Sequence, residues 1–226
     1  ISGQKIIEVK LDGVRAIVII YPTGNIDIFS RNGKELNNFE HIKNEIKRLI
    51  NFSDIKMAIV LDGEIISKNF QELMKQIHRK NSIQNDDAKL YLFDFLPLES
   101  FKKGLYECKY IHRMKNLRNL YEKYFLNSIN IKLLKPKLID LDTNEGTKEF
   151  QNFNRDSIKN GYEGIMIKDP ESFYECKRST TWLKSKPFIE VSLKVKDYEE
   201  GTGRNKGKLG AIIAEGEDEN KFFKLN

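Results

Sequence analysis

The segment Glu8-Val9-Lys10-Leu11-Asp12-Gly13-Val14-Arg15 sets a lysine at the end of an apolar, β-branched run and just before an Asp-Gly turn. A lysine amine is a poor nucleophile at its ordinary pKa of ~10.4. It becomes useful where partial desolvation or nearby positive charge favours the neutral form. A strand end before a glycine turn exposes such an amine in a cleft while the backbone stays rigid. Asp12 is placed to orient the turn, and Arg15 to bind a phosphate or ribose oxygen. Taken alone, an edge-strand lysine followed by an ordinary Asp-Gly turn accounts for the segment at least as well, because such turns are common.

Further segments change that balance. Ser30-Arg31-Asn32-Gly33, Leu61-Asp62-Gly63-Glu64, Leu92-Phe93-Asp94-Phe95, Glu163-Gly164-Ile165-Met166-Ile167-Lys168 and Trp182-Leu183-Lys184-Ser185-Lys186 follow in that order. With Lys-x-Asp-Gly-x-Arg as the first motif, the series resembles the ATP-dependent DNA ligases, within the covalent nucleotidyltransferases that also include RNA ligases and mRNA capping enzymes. Each motif alone is weak, and the ordered set is specific. The resemblance runs from Glu8 to Lys186, and more faintly beyond. It implies that Lys10 becomes adenylylated and that Phe93 stacks on adenine. It also implies that Glu8 sits at the adenine amino group, that Glu64 reaches the ribose, and that Lys168 is an additional phosphate-binding lysine. Arg31 falls in the second motif and is expected at the nucleotide. Arg178, in Lys177-Arg178-Ser179-Thr180-Thr181, resembles an arginine that the smaller viral ligases place near the reacting phosphates.

The chemistry gives each residue type a reason of its own. Moving AMP from ATP to an amine builds negative charge on the α-phosphate and on the leaving pyrophosphate. Catalysis is then chiefly alignment and charge neutralisation, which calls for Lys and Arg near the phosphates and a hard cation held by carboxylates. Glu64 and Glu163, beside glycines at strand ends, are the carboxylates best suited to Mg²⁺. Lys184 and Lys186 alternate along a strand and are expected on one face, as a pair contacting phosphates requires. Without the motif context, Phe93 reads as a core residue, Glu163-Gly164 as a surface strand end, and Lys184 and Lys186 as a basic edge that discourages strand pairing. His41, His78 and His112 are scattered and form no metal set.

These residues need strands to hold them. Ile6–Leu11, Val14–Tyr21 and Ile26–Phe29, with turn chemistry at Pro22-Thr23-Gly24-Asn25, read as an antiparallel meander. Phe39, Ile42, Ile46 and Leu49 have helical spacing, with Asn37 or Asn38 as the expected cap. Strands are expected at Met57–Ile66, Leu90–Leu96 and Gly164–Lys168. Helices are expected at Phe70–His78, at Glu149–Lys159, and through Tyr110, Met114, Leu117, Tyr121 and Tyr124. The whole is an α+β nucleotidyltransferase (adenylation) domain with antiparallel sheets over residues 1–188. From Pro187 the texture changes to short strands near Val191–Tyr198, Ala211–Ala214 and Phe222–Leu225, separated by Gly-rich, charged loops. Residues 189–226 therefore read as the start of an OB-fold β-barrel, a partial one.

Gly201-Thr202-Gly203-Arg204-Asn205-Lys206-Gly207-Lys208 looks phosphate-binding, but it is no P-loop. That motif needs Gly at 202 and Ser or Thr at 209, where Thr202 and Leu209 stand. A mobile barrel loop touching the DNA backbone through Arg204, Lys206 and Lys208 fits better.

Composition sets looser bounds. With 39 basic and 33 acidic residues the net charge is +6, compatible with a polyanionic partner. No run approaches the ~18 apolar residues of a membrane span, and no secretory signal is recognisable. The two cysteines, Cys108 and Cys176, lack metal or redox spacing and read as free thiols of a cytosolic protein. The expectation is a monomeric, cytoplasmic DNA ligase of a bacterial cell or phage-infected host, using ATP and Mg²⁺ on nicked double-stranded DNA, with no membrane partner. An RNA ligase or RNA-capping relative is the nearest enzymatic alternative, and a non-catalytic nucleic-acid-binding relative the other.

Overall fold

The apolar runs at the start of the chain form two strands that do not pair with each other. A computed structural model describes residues 1–68, 73, 74, 77, 84, 86–187 and 193–215, and the backbone of 222–225. In it β1 (Gln4–Lys10) and β2 (Val14–Ile20) belong to different sheets. The expected meander is broken at Leu11-Asp12-Gly13, and Gly13 supplies the physical reason. A Cβ there would lie 2.3 Å from the Ile65 carbonyl oxygen, so only glycine lets the chain pass that backbone on its way from one sheet to the other. What survives of the meander is the antiparallel pair of β2 with β3 (Ile26–Ser30), joined by a turn in which the Gly24 N–H donates to the Tyr21 carbonyl at 3.0 Å.

The larger sheet has five strands in the order β3-β2-β4-β5-β7, with β4 (Ile59–Ile66), β5 (Lys89–Pro97) and β7 (Ile131–Leu133). One face is covered by α1 (Glu40–Leu49), whose Ile42 and Ile46 recur one turn apart among Val18, Ile20, Ile28 and Leu61. The N-cap of α1 is Phe39 rather than Asn37 or Asn38. Phe39 is fully buried in that core, and the orphan Glu40 N–H is met from a distance by the Gln84 side-chain oxygen at 3.0 Å. The helix expected over Phe70–His78 lies largely outside the described residues; Leu73, Met74 and Ile77 are helical, with Leu73 and Ile77 in the same core.

After β5 the chain makes α2 (Leu98–Lys103), the short β6 (Leu105–Tyr106) and α3 (Tyr110–Tyr124) before β7. This crossover makes β5 and β7 parallel, a departure from the expected antiparallel pattern. The other face of the sheet carries Ile17, Ile19, Val60 and Leu96, packed with Tyr174.

The second sheet of this unit has the order β11-β9-β1-β8 and is antiparallel throughout, with β8 (Lys137–Asp140), β9 (Gly164–Lys168) and β11 (Trp182–Ser185). Ile7, Ile139, Ile165 and Ile167 pack under α4 (Asn144–Lys159) through Phe150 and Phe153. Helix α4 starts a turn earlier than its apolar spacing indicates, because the Thr143 hydroxyl caps the Gly146 N–H at 2.9 Å. A short β10 (Tyr174–Glu175) pairs with β6.

The chain divides into two units, Ile1–Lys186 and Pro187–Asn226. The second contains an antiparallel sheet in the order β12-β13-β14, formed by β12 (Lys194–Glu200), β13 (Leu209–Glu215) and β14 (Phe222–Leu225), with β12 irregular at Val195/Asp197 and Glu199/Glu200. Among the described residues no helix is long and apolar enough to cross a membrane.

Gly13→Ala is expected to destabilise the first unit by about 1–3 kcal/mol, because the added methyl meets backbone that cannot move aside cheaply. Thermal and urea denaturation measure it, and an unchanged midpoint would show that the crossing does not need glycine.

Candidate active site

Strand alternation decides what faces the space between the two sheets. On β1, Ile7 points into the core under α4, so Glu8 and Lys10 fall on or beside the opposite face. The register pairs Trp182 with Lys168 and Lys184 with Met166, bringing those side chains to the same side. The larger sheet contributes Arg15, Glu64 and Phe93. Together they line a cleft of about 720 Å³, along with Arg31, Asn32 and Lys34 from the loop after β3.

Phe93 reaches the cleft through a β-bulge. The register of β4 against β5 steps from Asp62↔Asp94 to Gly63↔Leu92, leaving Phe93 the extra residue. A Cβ on Gly63 would lie 2.7 Å from the Tyr91 carbonyl oxygen, so the close strand approach beside the bulge needs glycine. A strictly alternating apolar strand would have given no sign of this.

At one end of the cleft stands Lys10. Its ammonium contacts Glu163 Oε2, and Lys186 contacts the other oxygen of the same carboxylate. The Glu163 N–H also donates to the Lys10 carbonyl at 3.1 Å, which fixes the two residues side by side at the ends of β1 and β9. Strand β11 ends at Ser185, so Lys186 lies just past it; Lys184 lines the cleft, whereas Lys186 is directed to Glu163. The expected pair on one strand face is thus one lysine lining the cleft and one, past the strand end, on Glu163.

Arg15 is held rather than free. It makes a two-point pair with Asp62, Nε to Oδ1 at 2.9 Å, and its guanidinium also meets the Tyr174 hydroxyl at 3.2 Å. Asp62 raises the arginine's pKa further, so its charge is permanent. An adjoining cavity of about 480 Å³ gathers Arg15, Arg31, Lys177, Arg178 and Lys184. Glu64 is partly buried on the cleft wall, and burial pushes its carboxyl up to about 7 against the opposing pull of Lys10.

The other end of the cleft is closed by a buried network. Glu8 and Lys168 are in contact, with side chains only 3% and 1% exposed. Lys168 Nζ also donates to the Tyr110 hydroxyl at 3.1 Å. The ammonium expected to serve a phosphate is thus engaged by Glu8 and Tyr110, and its residue still lines the cleft. Burial pushes the Glu8 carboxyl up, and the Lys168 charge pulls it back. Beneath lies a second buried pair, Arg113 Nε to Asp94 Oδ1 at 2.9 Å. Sequence reasoning assigned no role to Tyr110, Trp182, Arg113, Asp94, Asp62 or Tyr174. The available signal was charge in apolar company: Asp62 and Asp94 interrupt buried strands, and Arg113 shares the apolar side of its helix with Tyr110 and Leu117.

Among the described residues no group of three or more His, Cys, Asp or Glu side chains forms a ready-made metal cage. In the second unit, Arg204, Lys206 and Lys208 are exposed on the loop between β12 and β13. That loop carries its own hydrogen bonds, Gly201 N–H to the Lys208 carbonyl at 2.9 Å and Gly207 N–H to Glu200 Oε1 at 2.6 Å.

Residues 1–186 match the family described as ATP dependent DNA ligase domain. The DNA ligase of Natronomonas pharaonis is 26% identical over 93% of this chain and 37% of its own length. The solved structure named Pmar-Lig_PreS3 is 50% identical with a TM-score of 0.89, covering 99% of this chain and 52% of that one. The ATP-dependent DNA ligase from bacteriophage T7 in complex with ATP shares the fold, at 20% identity and a TM-score of 0.63 over 99% of this chain and 74% of that one. The chain thus spans well under half of the curated relative's length.

Glu64 sets a stability test. Below its ordinary pKa of 4.5 the carboxyl is protonated in folded and unfolded chains alike. Between 4.5 and about 7 the unfolded chain releases a proton that the folded chain keeps, so stability falls as pH rises through that window and stays lowered above it. Glu64→Gln is expected to match the wild type near pH ~4 and to exceed it by about 1–3 kcal/mol at pH ~8. Urea titrations with a chelator present measure this, and a gap independent of pH would overturn the burial account.

Proposed function

The chain belongs to the ATP-dependent DNA ligase family, and from that premise we propose that Lys10 takes AMP from ATP and that the full protein seals 5′-phosphate/3′-hydroxyl nicks in duplex DNA. The observation that carries the reading is the setting of Lys10: a strand-end amine in the cleft, its ammonium against Glu163, with cations gathered beside it. In the first step the Lys10 nitrogen bonds to the α-phosphorus as the bond to the β-phosphate oxygen breaks. Pyrophosphate leaves, and the amine proton has Glu163 Oε2 as its nearest acceptor. AMP then passes to the 5′-phosphate of the nick, freeing Lys10, and the 3′-hydroxyl displaces AMP to close the phosphodiester.

In this reading Phe93 stacks on the base and Glu8 accepts from the adenine amino group. Arg31, Lys184 and Lys186 neutralise nucleotide phosphates. Arg15, pinned by Asp62, presents a fixed charge at the junction with the cavity that holds Arg178, where the 5′-phosphate of the nick would arrive. Mg²⁺ coordinates a few carboxylates and completes its shell with water and substrate phosphates. Glu64 and Glu163 would hold it, and it would offset charge on the phosphate oxygens. The second unit is read as the start of an OB-type barrel. Its short, irregular antiparallel strands support that, and its Arg204, Lys206 and Lys208 loop is offered to the DNA backbone.

Incubation with radiolabelled ATP and Mg²⁺, followed by denaturing electrophoresis, tests the nucleophile. Lys10→Ala is expected to abolish the covalent label without unfolding the domain, and Lys10→Arg likewise, since a guanidinium stays protonated at neutral pH. Label retained by Lys10→Ala would assign the nucleophile elsewhere.

Nicked-duplex affinity across a salt series tests the loop. Each phosphate contact contributes a log–log slope of roughly −0.9. Replacing Arg204, Lys206 and Lys208 together with Ala is expected to flatten the slope by about 2 to 3 while labelling of Lys10 persists. An unchanged slope removes this loop from the DNA surface.

A further inference from the structure

Among the cations lining the cleft, Lys168 is the most deeply buried, its side chain only 1% exposed. Its Nζ lies 4.0 Å from the centre of the Trp182 ring and 4.7 Å from those of Phe93 and Tyr110. It contacts the Glu8 carboxylate and donates to the Tyr110 hydroxyl at 3.1 Å. That hydroxyl in turn lies 3.3 Å from Glu8 Oε2 and 3.2 Å from the Phe93 carbonyl oxygen. Ring faces attract a cation, and each of these partners holds Lys168 at the base end, away from the phosphates. Lys168 lines the cleft itself, and its contacts set it against Glu8 and Phe93, the two residues read above as meeting the base.

We propose that Lys168 and Tyr110 are positioning residues that set the base choice of this site, holding Glu8 as a fixed, acceptor-only group that selects a purine bearing an exocyclic amine over one bearing a carbonyl. The inference rests on the nucleotide-transfer reading above and deepens it. Adenine presents an N–H donor where guanine presents an oxygen. An ionised carboxylate accepts from the first and repels the second. A carboxyl as deeply placed as Glu8, deprived of its cation, takes up a proton, because burying an unpaired charge costs more than neutralising it. Its O–H then donates to the guanine oxygen. Neighbouring Asp94 cannot substitute for the missing charge: it is an anion, already matched to Arg113. Lys168 thus converts a buried carboxyl from a group that tolerates both bases into one that rejects guanine. A site built around one polar partner discriminates strongly against the ligand that leaves it mismatched.

The test is the ratio of kcat/KM for covalent labelling of Lys10 with ATP and with GTP, on the full chain. Wild type is expected to favour ATP. If neither nucleotide labels Lys10, the transfer reading itself falls, and this inference with it. Given ATP labelling, Lys168→Met is expected to lower the ATP-to-GTP ratio by about tenfold or more, with a gain in GTP labelling, and Lys168→Arg to retain most of the wild-type preference. A Lys168→Met protein that loses both activities in proportion overturns the proposal, since a lost phosphate contact or a distorted fold leaves the ratio alone. Should Lys168→Met not fold, Tyr110→Phe removes only the hydroxyl and is expected to move the ratio the same way by a few fold. An unchanged ratio there overturns the proposal as well.

Discussion

Each carboxylate buried at the floor of the cleft is matched to a cation, and the two-sheet architecture depends on that pairing. Asp62 meets Arg15, Asp94 meets Arg113 and Glu8 meets Lys168. Removing one partner of such a pair strands a charge at a cost of about 3–5 kcal/mol, far more than a surface ion pair contributes. Aromatic groups join the pairs across the seam. Tyr110, from the helix between β5 and β7, reaches Glu8 on one sheet and the Phe93 carbonyl on the other. Trp182 sets its edge or face against Phe93, Tyr110 and Tyr174.

This arrangement gives the cleft two unlike ends. The floor around Glu8 and Lys168 is buried, its charges cancelled locally and its side chains held by several partners each. The end at Lys10 is partly exposed, and there Glu163 is shared between Lys10 and Lys186. Arg31 and Arg178 are exposed nearby with cations around them. A region where positive charge exceeds negative is unfavourable without an anion and favourable with one, which suits the proposed reaction, in which polyphosphate is taken up and then released. Glu64 shows the same trade in the opposite sign: its burial near Asp62 lowers stability above mid-range pH in exchange for a carboxylate on the cleft wall.

Much of the site was legible as order along the chain. Lys10, Glu64, Phe93 and Lys184 were singled out from local patterns, and all line the cleft. Residues whose importance comes from what they neutralise were not legible. Arg113 looks like an ordinary helix arginine until Asp94 is known to lie beneath it. Lys168 resembled a phosphate ligand because a motif records residue type and spacing, and neither reveals that rings from β5, α3 and β11 enclose its ammonium. The missed cap of α1 has the same origin: Gln84 serves a helix end that starts 44 residues earlier.

By itself the sequence marked the longer strands and most helices, because alternation and helical spacing are local properties written in side-chain types; the short β6, β7, β8 and β10 hold too few residues to show a period and were not expected. It also singled out residues whose types suit the proposed chemistry. The tertiary structure decided which strands share a sheet, since the choice at Gly13 turns on the distance to the Ile65 carbonyl, a neighbour 52 residues away. It decided the register of β5 against β4, with Phe93 the extra residue, because a bulge is a property of two paired strands and cannot be read from one. It decided, finally, which cations are free to meet a ligand and which are bound to buried carboxylates. That follows from the range of the forces involved: backbone preference acts between neighbours in the chain, whereas the cost of an unpaired buried charge depends on everything that surrounds it.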